Sequence, residues 1–195
     1  MPKCTCGTLP FTVNTENPDF YYSLPDGHVL QVLMQEHFNI LRYTLDLEMA
    51  LDELKGIDTI PDDNTLIRDL HSQADHLLST ERHHIREEVA ILLSLDEIEG
   101  ASNHWNIRTD HDEIRLIKRH FAKLVRSLYT TPLPSIKDEI NSTGRTIITR
   151  LKTHIKNEDN ELYPLAYARI PAENWPELKA KCDKVGYCCF TPPPN

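Results

Sequence analysis

The sequence predicts an all-α protein, an up-down-up-down four-helix bundle with irregular N- and C-terminal arms. Three observations predict it: four long stretches whose apolar residues recur at helical spacing, short turn-rich connections between them, and no alternating run of the kind a strand needs. The 195 residues suffice for one well-buried domain and are too few for two typical ones once irregular ends are set aside.

The first 25 residues hold Pro2, Gly7, Pro10, Pro18 and Pro25 without a sustained period, so residues 1–25 are expected to be an irregular arm. Helix A is expected from about Asp26 to Lys55, with Leu30, Leu33, Met34, Leu41, Leu45 and Met49 recurring mostly at steps of three, four and seven. Gly56 to Asp63, with Pro61 among them, breaks it. Helix B is expected from about Asn64 to Asp96, with Leu66, Leu70, Ala74, Leu77, Ile91 and Leu95 on one stripe. Glu99 to Asn103 makes the second turn, where Ser102 or Asn103 is placed to cap helix C, about His104 to Thr130. Ile107, Ile114, Ile117, Phe121, Leu124 and Leu128 form its apolar face. Pro132 and Pro134 stop it, and helix D is expected from about Ile136 to Ala168, with Ile140, Ile147, Ile148, Leu151, Ile155 and Leu162. The bundle thus occupies residues 26–170, and Pro171, Pro176 and Pro192 to Pro194 mark an irregular tail, residues 171–195.

A formal net charge of -9 and a pI of about 5.5 argue against nucleic acid or anionic lipid as partners, since both are bound through clustered Lys and Arg. A small molecule, an ion or a protein is the expected partner; composition leaves the oligomeric state open. No stretch approaches the roughly 18 apolar residues of a membrane span, and no basic start precedes a long apolar run, so a cytoplasmic protein is expected. The five cysteines are odd in number and confined to the ends, as Cys4, Cys6, Cys182, Cys188 and Cys189, unlike the framework of a small secreted fold. The bundle topology brings those ends together, where the thiols are a redox switch, a second metal site or plain reduced side chains.

Ten histidines are many for this length, and nine lie between His37 and His154. His37 falls on the stripe of Leu30, Leu33, Met34 and Leu41. Helix B contains two pairs spaced by four, His83 with Glu87 and His84 with Glu88. At about 100° per residue His84 and Glu88 align with Leu77, Ile91 and Leu95, while His83 points away. His111 lies one turn after Ile107 and one before Ile114, and helix D carries His154 with Glu158. His84-Ile85 and Glu88 precede Leu92-Leu93 as His154-Ile155 and Glu158 precede Leu162-Tyr163, which supports the same pair. Measured from the shared end of an up-down bundle, the four histidines sit roughly 10 to 21 Å deep.

Taken singly, each feature has a plainer explanation: a histidine on an apolar stripe is commonly a hydrogen-bonded core residue, and a His/Glu pair at i,i+4 a solvated surface pair. Their coincidence at one depth carries the metal reading, because burying so many polar groups together is costly without a cation. Imidazole with carboxylate suits iron, manganese or zinc, and the absence of cysteine argues against copper(I), structural zinc and iron-sulfur ligation. His28, His71, His76, His104 and His120 are expected on the surface or at caps, and Tyr43 and Tyr163 to pack near the ligands, within reach of a hydrogen bond.

With these motifs in hand, LMQEHFNIL around His37, HHIREEVAILL around His84, RTDHDEIR around His111 and HIKNEDNELYPLA around His154, the chain resembles the hemerythrin-like (HHE cation-binding) family over about residues 28 to 168. The resemblance implies a non-haem di-iron centre in a four-helix bundle, two iron ions with a bridging oxo or hydroxo group, manganese or zinc being possible substitutes. It implies His37, His84, His111 and His154 as terminal ligands, with Glu88 and Glu158 bridging. Two departures stand out: helix B reads Leu92-Leu93-Ser94 where the family often has Leu-Phe-Pro, and Arg115 stands where the oxygen-carrying branch has a second helix-C histidine. A fifth histidine ligand would be His83. Two six-coordinate irons offer about twelve positions, and two carboxylates, a bridging oxygen and four histidines leave roughly two open. The expected function is therefore to bind or reduce dioxygen, nitric oxide or peroxide, the alternative being an oxygen- or iron-sensing or iron-supplying module without turnover. A ferritin-like oxidase needs Glu-x-x-His on two helices, and only Glu81 to His84 fits.

Overall fold

Every regular element among the described residues of this computed structural model is helical; those residues are 15–60, 65–100 and 105–191. Cys4, Cys6, Ser102, Asn103, His104 and the closing prolines lie outside them.

Both arms expected to be irregular carry helix. Helix α1 spans Pro18–Ser23, where the Asn17 side chain accepts a hydrogen bond from the Phe20 N–H at 3.3 Å and Pro18 takes a position that needs no N–H donor. Helix α2 spans Val29–Lys55, and His28 caps it by accepting the Leu30 N–H on Nδ1 at 3.2 Å. The predicted helix B is divided. It comprises α3 (Thr65–Ser79), α4 (Glu81–Arg86), a π-helical turn over Glu87–Leu92 and α5 (Leu93–Glu99), which ends at Gly100 with φ 93.

Helix α6 spans Trp105–Ser127, and α7 spans Leu133–Asn157, starting at Leu133 rather than Ile136 because Pro134 is tolerated in a first turn. A second π-helical turn, Glu158–Leu162, leads into α8 (Tyr163–Arg169). After a 3-10 turn at Ala172–Asn174, helix α9 runs over Trp175–Val185. Pro176 opens that helix instead of preventing it, and Gly186, φ 83, closes it. No helix among the described residues is long and apolar enough to cross a membrane.

The chain divides into two compact units, the first comprising Met1–Asn39, Arg82–Arg108 and Ile155–Asn195 and the second Ile40–Glu81 and Thr109–His154. In the first, Leu30, Leu33 and Met34 of α2 pack with Ala90, Ile91, Leu92 and Leu95, with Leu162, Tyr163 and Ala166, and with Leu178 and Cys182 of α9. The C-terminal helix is therefore part of that core. In the second, Leu47, Leu51, Leu70, Leu77, Phe121, Val125, Ile140, Ile147 and Leu151 are buried. Full burial of each such side chain is worth about 1.5–3 kcal/mol.

Leu45 and Met49, expected on the inner stripe of α2, are exposed, and Leu47, Leu51 and Leu54 are buried in their place. Each step of four advances about 40° past the stripe, so Leu41, Leu45 and Met49 drift off the face that steps of three and four together maintain.

Candidate metal centre

Four buried side chains of the first unit converge: His37 from α2, His83 from α4, Glu87 at the start of one π-helical turn and Glu158 at the start of the other. One ligand atom from each lies within 4.8 Å of all the others. His37 Nε2 is 2.9 Å from His83 Nε2 and 3.2 Å from Glu158 Oε2, and His83 Nε2 is 3.3 Å from Glu87 Oε1.

Carboxylates behind both imidazoles set their orientation. His37 Nδ1 is 2.8 Å from Asp159 Oδ1, and His83 Nδ1 is 2.7 Å from Glu36 Oε2. A carboxylate accepts, so each Nδ1 carries a proton and donates it, which turns Nε2 inward as the atom a cation could take up. Glu36 is in turn gripped by the buried Arg86 guanidinium, whose Nη2 donates to Oε1 at 2.6 Å and also to Oε2. Burial works against the charge on Glu36, but His83 and Arg86 beside it hold its carboxyl below the ordinary range. Burial likewise opposes a charge on His37, yet Asp159 and Glu158 hold its pKa well above the usual imidazole value. The group therefore attracts positive charge.

Tyr163 completes the inner surface. Its hydroxyl donates to Glu87 Oε1 and lies 3.3 Å from His37 Nε2, and its ring stacks on the His37 ring at 5.5 Å. Burial, with Glu87, Glu158 and Asp159 nearby, pushes its pKa well above the ordinary phenol value, so the hydroxyl stays a donor. Tyr163 thus packs as expected and hydrogen-bonds as well, while Tyr43 packs, stacked on His76 at 4.3 Å.

Of the residues expected at the site, His37 and Glu158 join this group. His84 is buried, its ring 5.9 Å from that of His83, and Glu88 is half-buried outside the group. His111 and His154 are buried in the second unit with ring centroids 4.9 Å apart, and His154 Nδ1 is 3.8 Å from Asp110 Oδ2. His83 and Glu87 enter from the pair not favoured by the helical wheel. A signal for them existed: Glu87-Glu88 and Glu158-Asp159 are matching acidic doublets, and in both the first acid stands four residues after a histidine.

Of the other histidines, His28 caps α2 and His120 pairs with Glu139 in the open, as expected of capping or surface residues. Cys182 and Cys188 are buried thiols, and Cys189 is exposed. Burial pushes Cys182 up to about 11 and Cys188 up to about 12, so neither is a ready thiolate.

Two imidazole nitrogens and two carboxylates without sulfur are a donor set that fits iron, manganese or zinc, and carboxylates behind the imidazoles are the usual outer support of such ligands. The residues present can thus hold a metal cation. A family model, the hemerythrin HHE cation binding domain, matches residues 28–166. No curated protein matches the chain. With most of its length covered by that model and a buried His/Glu group able to hold a metal, the chain belongs to the hemerythrin HHE cation-binding family.

Proposed function

We propose that the chain is a non-haem di-iron protein that binds or reduces a small oxidant, namely dioxygen, nitric oxide or peroxide. The observation that carries this reading is the group of His37, His83, Glu87 and Glu158, with a carboxylate behind each imidazole. In this proposal the long helical segments are the rods of the four-helix bundle that the sequence predicts. Glu87 takes the role expected of Glu88. The remaining histidines of the family pattern, His84, His111 and His154, are buried and stay assigned as ligands of the pair of ions, as the resemblance implies.

Iron held there supplies electron exchange with a small oxidant. The chain's own residues do the rest: Asp159 and Glu36 keep His37 and His83 as Nε2 donors, and Tyr163 holds a proton on its hydroxyl beside Glu87. Leu30, Leu33 and Ile91 belong to the apolar core of the same unit, which lowers the local dielectric and strengthens every charge interaction inside it.

The test is metal analysis of the purified protein together with its visible spectrum in reduced, oxygenated and nitric-oxide-treated forms. Two irons per chain with a spectrum that responds to the added oxidant are expected. Consumption of nitric oxide or peroxide over many cycles assigns an enzyme, and a reversible response without turnover assigns the sensing or iron-supplying alternative. A folded, helical protein that retains no metal rejects the proposal.

A further inference from the structure

The family match ends at residue 166, yet the chain runs on through α9 into a short strap, residues 186–191, that ends on the outer side of His83. The Thr191 hydroxyl donates to Glu36 Oε1, the carboxylate that holds His83 Nδ1 and grips Arg86. The Tyr187 ring covers the Arg86 guanidinium at 4.8 Å, and Arg86 Nη2 lies 3.8 Å from the Cys188 thiol. Two backbone carbonyls pin the strap in place: Arg82 Nη1 donates to that of Tyr187 at 2.9 Å and Asn39 Nδ2 to that of Phe190 at 3.1 Å. Cys188 and Phe190 of the strap are themselves buried.

This arrangement covers a buried ion pair on the side facing away from the metal group. Glu36 and Arg86 are each at most 1% exposed, and a buried carboxylate is stable only while its partners stay in place. Strap residues supply one of the donors to Glu36 and one face of the shield over Arg86. Outer partners of metal-bound histidines fix ring orientation and ligand basicity.

We propose that residues Tyr187 to Thr191 form an outer shell of the metal centre, in which Thr191 and Tyr187 act as positioning residues. Through Glu36 and Arg86 they keep the His83 imidazole turned with Nε2 inward, and so set how tightly the ion is retained. The inference rests on the metal reading of the His37, His83, Glu87 and Glu158 group.

The full-length chain, loaded with iron, is compared with Thr191→Val, Thr191→Ser and Tyr187→Leu for the rate of iron loss to an excess of chelator. Thermal unfolding of the metal-free proteins is recorded alongside. Thr191→Val is expected to lose iron about 10- to 100-fold faster, the range for outer-partner changes, which exceeds what any fall in its metal-free midpoint accounts for. Thr191→Ser, which keeps the hydroxyl, restores the wild-type rate, and Tyr187→Leu shifts it in the same direction as Thr191→Val. Cobalt(II)-loaded Thr191→Val is expected to show altered visible bands, which a purely structural role would not produce. Iron loss at the wild-type rate from both Thr191→Val and Tyr187→Leu overturns the proposal, as does faster loss that only tracks a lower metal-free midpoint. A wild-type chain that takes up no metal rejects the underlying metal reading instead, and is distinguished by that first measurement.

Discussion

His37 and His83 face each other through their Nε2 atoms at 2.9 Å, each held from behind by a buried carboxylate on Nδ1. Two buried carboxylates, Glu87 and Glu158, stand beside this contact, and the negative charge gathered there is what a divalent cation would neutralise. Metal is therefore expected to raise the thermal midpoint, by the equivalent of about 4 kcal/mol when free metal exceeds its Kd a thousandfold, and a chelator to reverse it. Circular dichroism melts across a metal titration check this. A midpoint indifferent to metal contradicts it.

Glu87 and Glu158 each open a π-helical turn, which places the pairs His83/Glu87 and His154/Glu158 in the same register. Glu87→Gln is expected to lower the metal bound per chain, whereas Glu88→Gln leaves it at the wild-type level. Metal content after gel filtration decides between them. The reverse outcome reinstates Glu88.

That register marks where the sequence stops being legible. Ile114, Phe121, Ile147 and Leu151 are buried as their periodicity predicts, because α6 and the middle of α7 keep a uniform 3.6-residue repeat. His111 and His154 are buried for the same reason, and His37 and Glu158 are buried as well. Helix B fails the assumption: the stripe projected back from Ile91 and Leu95 crosses the turn at Glu87–Leu92, which holds one extra residue and slips the phase by about 100°. A uniform wheel then favours Glu88 over Glu87 and turns His83 outward, whereas His83 is buried alongside His84 and Glu87 is buried where Glu88 is not. Glu36, Arg86 and Thr191 were illegible for another reason, since the partners of that carboxylate are separated from it by up to 155 positions. Helix α9 is hidden in the sequence because Pro176 looks like a breaker, although a proline in a first turn costs no hydrogen bond.

Tyr163 donates its hydroxyl to a buried carboxylate, so Tyr163→Phe leaves Glu87 with one donor fewer in an interior where a lost partner costs about 1–3 kcal/mol. The metal-free variant is expected to melt at a lower temperature than the wild type. In the iron-loaded variant, the visible spectrum recorded with nitric oxide is expected to shift, because the phenol proton beside His37 and Glu87 has gone. Identical melts and identical spectra contradict the role.

Gly144 lets α7 come close to its neighbours in the second unit: a Cβ there would lie 2.6 Å from Leu51 Cδ1 and 3.2 Å from a Phe121 ring carbon. Leu51 and Phe121 are fully buried, so either must shift within the core to admit a methyl group. Gly144→Ala gains up to about 1 kcal/mol of helix propensity, but overpacking costs about 1–3 kcal/mol. A net loss of about 1 kcal/mol is expected by urea unfolding. A more stable variant would mean that the Leu51 side chain yields freely.

His28 gives the pH dependence a definite sign. Its ring packs on Trp175 with centroids 4.4 Å apart, its Nδ1 accepts the Leu30 N–H, and burial pushes its pKa from 6.5 down to about 4. A histidine whose folded pKa lies below its unfolded value contributes stability that is present above the unfolded value. That contribution is lost as pH falls through 6.5 toward 4, because the unfolded chain takes up the proton first. The metal-free protein is expected to show a His28 NMR titration midpoint of about 4, and His28→Gln to flatten the acid limb of the stability curve between those two values. A midpoint near the ordinary imidazole value would mean that the ring is solvated rather than packed against Trp175.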